Sequence, residues 1–341
     1  MADASGGHVL GVDSGGSGLR VAVARTDDTA ARPLAVRTSR EPVRTGPAGI
    51  DADHLLSQLL PLAGELAQKV GARDFPAVCV GAAGMASLGD ELRARLPGAL
   101  ATAYGVRGLA LAADAVTAYA GALGQRPGAV VAAGTGMIAL GTDLTEEAGW
   151  RRADGWGHLL GDCGSGAWIG RAGLEAALRA YDGRPGGSAA LLARAEAVFG
   201  PVAGLPGVLY PRPDRPAVLA SFAPEVGRSA AADDAVARGI LDAAAGHLAD
   251  AAAAVCPPGA GRAVACTGGL FGLGEPLLAP LRTALAERLP HTPLTPAAGT
   301  PLDGALTLAA ALARDRLKLP ADGKLLQITR PAPGQRDRRA G

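Results

Sequence analysis

The chain opens with two short apolar runs that flank a stretch rich in glycine. Residues 8–12 and 19–24 lie on either side of Asp13-Ser14-Gly15-Gly16-Ser17-Gly18. Because glycine readily adopts the positive φ that tight turns need, this pattern predicts two strands joined by a glycine turn. A third extended run at 34–38 predicts another strand of the same sheet.

Helical and strand patterns alternate after this hairpin. Apolar residues recur at helical spacing over 55–70, which predicts an amphipathic helix, and the short apolar runs 77–81 and 109–113 predict buried strands. Alternation of this kind is typical of an α/β fold. The pattern further predicts helices at 90–104, 167–181, 188–198, 233–255, 276–288 and 303–318, a strand at 263–267 and an irregular segment at 200–216.

The strand–glycine–strand pattern returns in the middle of the chain. Residues 129–133 and 137–141 predict two strands, and Gly134-Thr135-Gly136 predicts the turn between them. The repeat predicts two topologically similar domains, each presenting a glycine hairpin to a shared cleft. The domains are predicted at 1–116 and 117–302, with a helix at about 303–318 completing the first and a flexible tail at 319–341.

The amino-acid composition limits the classes of protein to which the chain can belong and the partners it is expected to bind. The chain has 341 residues, of which 48% are apolar, enough to bury a core in each of two domains. Its 33 basic and 32 acidic residues nearly cancel, so neither nucleic acid nor a membrane is expected as a partner. The N-terminus has no signal-peptide pattern, which predicts a cytoplasmic protein. Four cysteines without a CxxC pair predict reduced thiols: Cys79, Cys163, Cys256 and Cys266.

Glycine-rich turns can bind phosphate, since a backbone without Cβ brings its N–H donors close to the phosphate oxygens. The chain has no GxxxxGK[ST] motif and its three lysines lie in no glycine loop, which excludes a Walker-type site. The first loop also lacks GxGxxG spacing and returns as a strand, which excludes a Rossmann site. A hairpin loop with an acid at its entrance remains.

In such a loop, Asp13 would bind Mg²⁺, directly or through water, and the loop would face the terminal phosphates of ATP. One glycine hairpin alone is a weak signal, because ordinary hairpins share it. The second hairpin strengthens the prediction, since each domain would then contribute one loop. The residues predicted to bind the ATP phosphates are Gly15, Gly16, Ser17, Gly134, Thr135 and Gly136.

Asp114 follows the apolar run 109–113 and has two interpretations. A carboxylate at the carboxyl end of a strand, facing the cleft, is placed to accept the proton of an attacking hydroxyl group. Aspartate is also a common N-cap, here for a helix beginning at Ala115. The local sequence leaves both roles open, and the two are compatible.

These pieces, in this order, resemble the BadF/BadG/BcrA/BcrD ATPase family, and within it the N-acetylglucosamine kinase branch. The resemblance covers about residues 8–313. Its most specific part is the Gly-Trp-Gly-His-Leu-Leu-Gly-Asp segment at 155–162, followed by Gly164-Ser165-Gly166. The further matches are Gly11-Val12-Asp13-Ser14-Gly15-Gly16-Ser17, Val80-Gly81-Ala82-Ala83-Gly84, Ala113-Asp114-Ala115, Ala133-Gly134-Thr135-Gly136, Thr267-Gly268-Gly269-Leu270 and Asp303-Gly304-Ala305.

The resemblance implies an α/β, two-domain actin-like ATPase fold of the ribonuclease H-like type. Each domain would be a mixed sheet flanked by helices, with the active site in the interdomain cleft. The implied activity is ATP- and Mg²⁺-dependent phosphorylation of a small sugar or aminosugar (N-acetylglucosamine, glucosamine or glucose type) at the 6-hydroxyl, by a homodimer. Asp114 would be the base and contact the sugar, Gly268 and Gly269 would bind adenosine, and Gly155, Trp156, Gly157 and Asp162 would bind the sugar.

Three departures from the family pattern concern the substrate. Cys163 replaces the second acid of the usual GDEGSG, Gly49 replaces the asparagine of GPAN, and Met137 replaces a small polar residue. Each change removes a polar group from a region that would distinguish one sugar from another. A buried hydroxyl without a partner costs about 1–3 kcal/mol, which is enough to shift sugar preference tenfold or more.

Two other functions are compatible with the family. An iron–sulfur activator ATPase would need cysteines that hold a cluster, and no suitable pair is apparent. A sugar-binding regulator without catalysis is disfavoured because Asp13, Asp114 and Thr135 are all present. Without the family, Trp156 and His158 would be interpreted as packed loop residues.

Overall fold

The glycine hairpin predicted at the N-terminus starts the first sheet of the computed structural model, which describes residues 7–16, 18–46 and 49–330. Strands β1 (His8–Gly15) and β2 (Gly18–Arg25) pair antiparallel. Ser17, predicted to bind phosphate, lies outside the described residues. The chain continues through β3 (Ala35–Ser39), β4 (Thr45–Gly46), β5 (Gly49–Ile50), α1 (Ala52–Val70), β6 (Ala77–Ala82), α2 (Met85–Leu88), α3 (Asp90–Tyr104), β7 (Gly108–Ala113) and α4 (Asp114–Leu123).

Local chemistry explains where α1 begins and ends. The Asp51 carboxylate accepts a hydrogen bond from the backbone N–H of His54 at 2.8 Å, so it caps the helix start. Gly71, at φ 68°, ends the helix in the left-handed conformation that glycine tolerates. Its predicted apolar face is buried, with Leu55 and Leu59 fully inaccessible to solvent. The helix starts three residues before the predicted position because the cap precedes the first apolar residue of the pattern.

The middle of the chain repeats the opening pattern and then becomes mostly helical. The second glycine turn joins two strands, as the sequence predicts. A short 3₁₀ helix at Gly269–Leu273 follows the strand predicted at 263–267. The remaining elements are β8 (Gly128–Ala133), β9 (Met137–Thr142), β10 (Arg151–Asp154), α5 (Gly166–Tyr181), α6 (Ala189–Phe199), α7 (Leu205–Leu209), α8 (Arg215–Ala220), α9 (Ala223–Ala231), α10 (Ala235–Val255), β11 (Ala263–Thr267), α11 (Glu275–Arg288), β12 (Leu294–Pro296), α12 (Pro301–Ala313) and β13 (Leu326–Thr329).

The described chain divides into two compact units. The first takes the described residues of 1–127, 142–150 and 297–341, and the second takes 128–141 and 151–296. The first contains a six-stranded sheet in the order β3-β2-β1-β6-β7-β13, and the second a five-stranded sheet in the order β10-β9-β8-β11-β12. The series β1, β6, β7 and the series β8, β11, β12 are both parallel. Five strands of each mixed sheet therefore follow one topology.

Helix α12 lies against α4 and β1 through glycines. A methyl group on Gly304 would overlap the carbonyl oxygen of Thr117, and one on Gly121 would overlap that of Thr300. The N-terminus of α12 is fixed by a capping box in which Thr300 and Asp303 each accept a backbone N–H of the other. Close approach of these helices therefore depends on positions that have no side chain.

The structure corrects three predictions about element bounds. Helix α12 ends at Ala313 instead of 318. The segment predicted as irregular at 200–216 contains α7. The tail predicted from 319 contains β13, which pairs antiparallel with β7 and buries Leu326. Such a short strand carries little pattern of its own, because the existing edge of the sheet supplies its hydrogen bonds.

The border between the units also differs from the predicted one. All of α4 lies in the first unit, which therefore extends beyond residue 116. Residues 142–150 return to the same unit, where the rings of Trp150 and Tyr119 meet edge to face with centroids 5.3 Å apart. The Trp150 Nε1–H also donates to the Pro320 carbonyl at 2.8 Å. The hydrogen bond to Pro320 thus ties this excursion to a part of the chain that the sequence predicts as tail.

No single helix in residues 7–16, 18–46 and 49–330 combines the length and apolarity needed to cross a membrane, although the bent pair Ala189–Phe199 and Val202–Leu209 satisfies those two criteria together. All four cysteines lie within the described ranges as free thiols.

We expect Gly304→Ala to destabilise the protein by about 1–3 kcal/mol, because the added methyl group overpacks the α4–α12 contact. Gly98→Ala is the matched control: Gly98 lies in α3 with open space where its Cβ would be, so alanine should be neutral or stabilise by up to about 1 kcal/mol. Urea unfolding of both variants measures the difference. Equal stability of the two variants would contradict the close-packing argument.

Candidate functional site

Asp13 lies near the end of β1, in a partly buried position. It stands opposite Arg20 on β2 and beside Gly81 on β6. The Arg20 Nη1 and Asp13 Oδ2 atoms are 4.0 Å apart, and 15% of the Asp13 side chain is exposed. Burial raises the pKa of Asp13, the Arg20 charge partly opposes this, and the charge of Asp114 raises it further. Two carboxylates therefore lie close enough to repel each other.

Asp114 is the first residue of α4 and directly follows β7. The residue in the N-cap position is Ala113, so the alternative in which Asp114 is the N-cap is wrong. Its Oδ1 nevertheless accepts the backbone N–H of Ala115 at 2.9 Å. The side chain is reached by solvent, and desolvation by the surrounding protein raises its pKa against the effect of that hydrogen bond. Parallel β1, β6 and β7 end at one sheet edge, which brings Asp13 and Asp114 together.

The first glycine turn presents open backbone beside these carboxylates. A Cβ on Gly15 or Gly16 would meet no atom within 4 Å. The Ser14 carbonyl accepts the backbone N–H of Ala83 at 3.0 Å, so the strand leading into the turn is held to the end of β6. Space and a fixed backbone are what a phosphate group needs in order to approach N–H donors.

The second glycine turn is bound to the start of α5. The Gly134 carbonyl accepts the N–H of Gly166 at 2.8 Å, and the Thr135 carbonyl accepts that of Ala167 at 3.0 Å. The Ser165 hydroxyl caps the same helix by accepting the N–H of Trp168 at 3.2 Å. These bonds fix the turn while Thr135 stays exposed.

A cavity of about 420 Å³ lies beside the second turn, within the second unit. Small and apolar residues form most of its wall, which suits the flat face of a nucleotide base and its ribose. Gly268, at φ 110°, lets β11 approach β8 so closely that any side chain there would overlap the Ala133 carbonyl. The cavity is lined by Gly134, Thr135, Gly166, Ala217, Ala220, Ser221, Ala223, Pro224, Gly269, Leu270 and Leu273.

The predicted sugar segment is a loop whose aspartate faces inward. Asp162 is 9% exposed and has φ 54°. Its Oδ1 accepts the N–H of Gly157 at 3.0 Å, and a Cβ on Gly136 would lie 2.6 Å from its Oδ2. Burial raises the pKa of Asp162, and the hydrogen bond from Gly157 partly counters that effect. The carboxylate therefore joins the sugar segment to the second glycine turn.

Trp156 lies on the outside of this loop. It is 65% exposed, and the Arg152 guanidinium carbon stands 4.4 Å from the centre of its ring. Gly155 and Gly157 flank it with φ values of 74° and 84°. The interpretation of Trp156 as a packed loop residue is wrong, because most of its side chain is exposed to solvent.

Sequence reasoning missed two residues that shape this loop. The Asp154 carboxylate accepts the N–H of Asp162 at 2.6 Å and that of Cys163 at 2.9 Å. Arg152 donates to the Gly155 carbonyl at 2.6 Å. A charged residue directly before Gly-Trp-Gly was the available signal, since aspartate commonly bonds to backbone amides of a following turn.

The three departures from the family pattern have different structural consequences. A side chain on Gly49, at φ 104°, would overlap the Leu88 carbonyl, so no asparagine fits there in this backbone. Met137 is 3% exposed and belongs to the core of the second unit. Burial and the charges of Asp154 and Asp162 raise the pKa of the Cys163 thiol, which disfavours the thiolate that cluster binding needs.

The donor chemistry near β1 fits Mg²⁺. This ion usually takes one or two carboxylates from the protein and the rest of its oxygens from water and phosphate. Asp13 supplies such a carboxylate beside open backbone, and Asp114 is near enough for its charge to act on Asp13. Among residues 7–16, 18–46 and 49–330 there is no cluster of three or more His, Cys, Asp or Glu side chains suited to hold a metal.

Two mixed sheets of one topology, each with a glycine hairpin, define an α/β protein of the actin-like ATPase fold. Residues 10–306 match the sequence model of the BadF/BadG/BcrA/BcrD ATPase family, and the chain belongs to that family. Membership of an ATPase family implies the use of ATP.

Individual relatives extend this comparison. A solved candidate N-acetylglucosamine kinase from Chromobacterium violaceum is 28% identical, with a TM-score of 0.63 over 88% of this chain and 97% of its own. A ROK family glucokinase from Streptomyces griseus, solved with glucose and AMPPNP, is 19% identical with a TM-score of 0.52 over 91% and 100%, which shows the fold alone.

A curated relative is the N-acetylmuramic acid/N-acetylglucosamine kinase of Clostridium acetobutylicum. It is 30% identical over 185 residues, which are 52% of this chain. The match spans about half of that relative's length, 55%.

Asp114→Asn should raise the thermal midpoint at pH 7. A carboxyl group whose pKa is raised by folding stabilises the protein below the usual pKa range of Asp, and this contribution is lost as the pH rises through the folded pKa. At pH 7 the charge is therefore a net cost that asparagine removes while still accepting the N–H of Ala115. Thermal unfolding at pH 7 and near the usual pKa of Asp should show the gain shrinking in acid.

The exposed Asp74 of the same unit offers a control, since Asp74→Asn should leave both midpoints near those of the wild type. If the thermal midpoint of Asp114→Asn at pH 7 is at or below the wild-type value, desolvation is not the main effect of the Asp114 charge on stability.

Proposed function

We propose that this protein transfers the γ-phosphoryl group of ATP to a hydroxyl of a small sugar or aminosugar, and that it does so with Mg²⁺. The observation that carries the proposal is the pairing of Asp13 and Asp114 at one sheet edge beside the open turn at Gly15 and Gly16. The named activities of the similar kinases from Clostridium acetobutylicum and Chromobacterium violaceum support the sugar as acceptor.

Asp114 is proposed to orient the acceptor hydroxyl and take its proton. Its raised pKa brings it closer to the pH at which a general base works best. Asp13 is proposed to hold Mg²⁺, directly or through water; the ion would offset the charge of the phosphates. Backbone N–H groups of Gly15, Gly16 and Ser17 in the first turn, and of Gly134, Thr135 and Gly136 in the second, are proposed to bind those phosphates.

The nucleotide's adenosine is proposed to occupy the cavity of about 420 Å³. Thr135 of the second turn and Gly269 both line that cavity, so phosphate and ribose would follow one another along its wall. Gly268 contributes by permitting the close approach of β11 to β8. Together these contacts support the predicted roles of Gly268 and Gly269.

The sugar is proposed to bind at the 155–162 loop. The exposed Trp156 ring offers a flat apolar face of the kind that sugar rings stack on, between the positive-φ residues Gly155 and Gly157. Asp162 would bind a sugar hydroxyl with a carboxylate that already bonds to the Gly157 N–H. N-acetylglucosamine, glucosamine and glucose are the proposed acceptors, and the 6-hydroxyl is the proposed position.

A homodimer and a cytoplasmic location belong to the same proposal, as does the absence of nucleic-acid and membrane partners. The near balance of 33 basic and 32 acidic residues supports the last two. Light scattering during gel filtration, with and without sugar, addresses the dimer, and a monomer under both conditions would contradict it.

A coupled ADP-release screen over N-acetylglucosamine, glucosamine, glucose, N-acetylmannosamine and N-acetylmuramate tests the function directly. We expect ADP release that depends on a sugar, and a fall in kcat of about 10²–10⁴-fold for Asp114→Asn, which removes the proposed base. Asp74→Asn should retain wild-type turnover. Sugar binding by calorimetry without ADP release from the wild type would instead favour a non-catalytic regulator.

Gly268→Ala should raise the KM for ATP about tenfold or more, since a methyl group there displaces the Ala133 carbonyl and imposes a φ of 110° on alanine. Gly272→Ala is the matched control, because Gly272 lies in the same 3₁₀ helix with open space at its Cβ position. The rise in thermal midpoint on adding ADP provides a second readout. Equal nucleotide affinity in the two variants would argue against adenosine at this turn.

A further inference from the structure

The Asp154 carboxylate lies at the centre of the turn that carries the sugar loop. Its Oδ1 accepts the N–H of Asp162 at 2.6 Å and its Oδ2 accepts the N–H of Cys163 at 2.9 Å. The N–H of Trp156 also points toward Oδ1, at 3.5 Å. One side chain thus binds backbone at both ends of the loop that begins at Gly155.

The backbone at both ends of this loop is in an uncommon conformation. Asp154 has φ 61° and Asp162 has φ 54°, in the left-handed region that residues other than glycine seldom adopt. Such conformations persist where surrounding contacts hold them, and they concentrate at functional sites. The hydrogen bonds that the Asp162 and Cys163 amides donate to the Asp154 carboxylate are contacts of that kind.

Space inside the turn is also limited. A Cβ on Gly161 would overlap Oδ1 of Asp154 and would lie 3.0 Å from Cβ of Trp156. Arg152 supports the same turn from outside, since it donates to the carbonyls of Asp154 and Gly155 at 3.0 and 2.6 Å. The loop therefore closes tightly around the Asp154 carboxylate.

This closure determines where the Asp162 carboxylate points. Asp154 holds the Asp162 backbone, and the Asp162 side chain in turn accepts the N–H of Gly157 and lies against Gly136 of the second glycine turn. A change at residue 154 would consequently be transmitted to Asp162, although Asp154 itself is proposed to touch neither nucleotide nor sugar.

We propose that Asp154 is a positioning residue for sugar binding: its carboxylate holds the 155–163 loop so that Asp162 and Trp156 face the acceptor. The inference rests on the proposed function, because it assigns that loop to the sugar. It makes a separate claim about the free protein, namely that the amides of Asp162 and Cys163 are protected from exchange by the Asp154 carboxylate.

The test compares Asp154→Gly and Asp154→Asn with the full-length wild type. Glycine accepts φ 61° without strain, so Asp154→Gly removes the carboxylate with little direct effect on the backbone. Asparagine keeps one acceptor oxygen but presents an NH₂ group to the second amide. Asp233→Asn is the matched control, since Asp233 is an exposed aspartate of the same unit with φ 68°.

We expect the KM for sugar to rise about tenfold in Asp154→Gly and by less in Asp154→Asn, as the loss of a charge-assisted hydrogen bond implies. The KM for ATP and kcat should stay within about twofold of wild type, and Asp233→Asn should match wild type throughout. Hydrogen exchange of a peptide covering 155–163, without ligands, should be faster in both Asp154 variants. A role limited to general stability would not separate the two KM values.

The outcomes separate this inference from the proposed function. Sugar-dependent turnover by the wild type, together with an unchanged sugar KM in Asp154→Gly, would overturn the positioning role and leave the kinase proposal intact. Unchanged exchange over 155–163 in both variants would overturn it as well. If the wild type neither binds nor phosphorylates any sugar, the proposed function itself fails and the positioning role fails with it.

Discussion

Parallel pairing of β1, β6 and β7 is the constraint on which the candidate site depends. Parallel strands end at the same sheet edge, and this places Asp13 beside Asp114 although the two are far apart in the chain. The arrangement is unfavourable for the charges themselves: burial and the charge of Asp114 raise the pKa of Asp13, and desolvation by the surrounding protein raises that of Asp114. Packing elsewhere must offset that cost, which is typical of a site shaped for binding a cation or a proton.

Glycine makes much of that packing possible, because a residue without a side chain lets neighbouring elements approach each other closely. Gly11 of β1 lies so close to Leu306 of α12 that an added Cβ would be 2.8 Å from the Leu306 nitrogen. Gly304 and Gly121 allow α12 to approach α4, and the start of α4 carries Asp114. The same glycines that weaken a helix in isolation therefore let the elements that carry the carboxylates come together.

The sequence was sufficient to predict features that depend on local pattern. Both glycine hairpins, most helices and the repeated strand–turn–strand pattern follow from periodicity and turn chemistry. Features that depend on distant contacts could not be predicted. Strand β13 forms because β7 offers an unpaired edge, and the missing side chain at Gly49 reflects the nearby Leu88 carbonyl. Neither contact leaves a signal in the residues concerned.

The loop at 155–163 is held by a carboxylate that lies just before it in the chain. The family pattern places an acid at residue 163, where this chain has a cysteine whose raised pKa keeps it neutral. Asp154 brings a carboxylate to the backbone of that residue, because its Oδ2 accepts the Cys163 N–H at 2.9 Å. Aspartate is one of the few residues that tolerates the left-handed φ at 154. The loop therefore has a half-buried carboxylate near Asp162 that is held by backbone donors and does not project from residue 163.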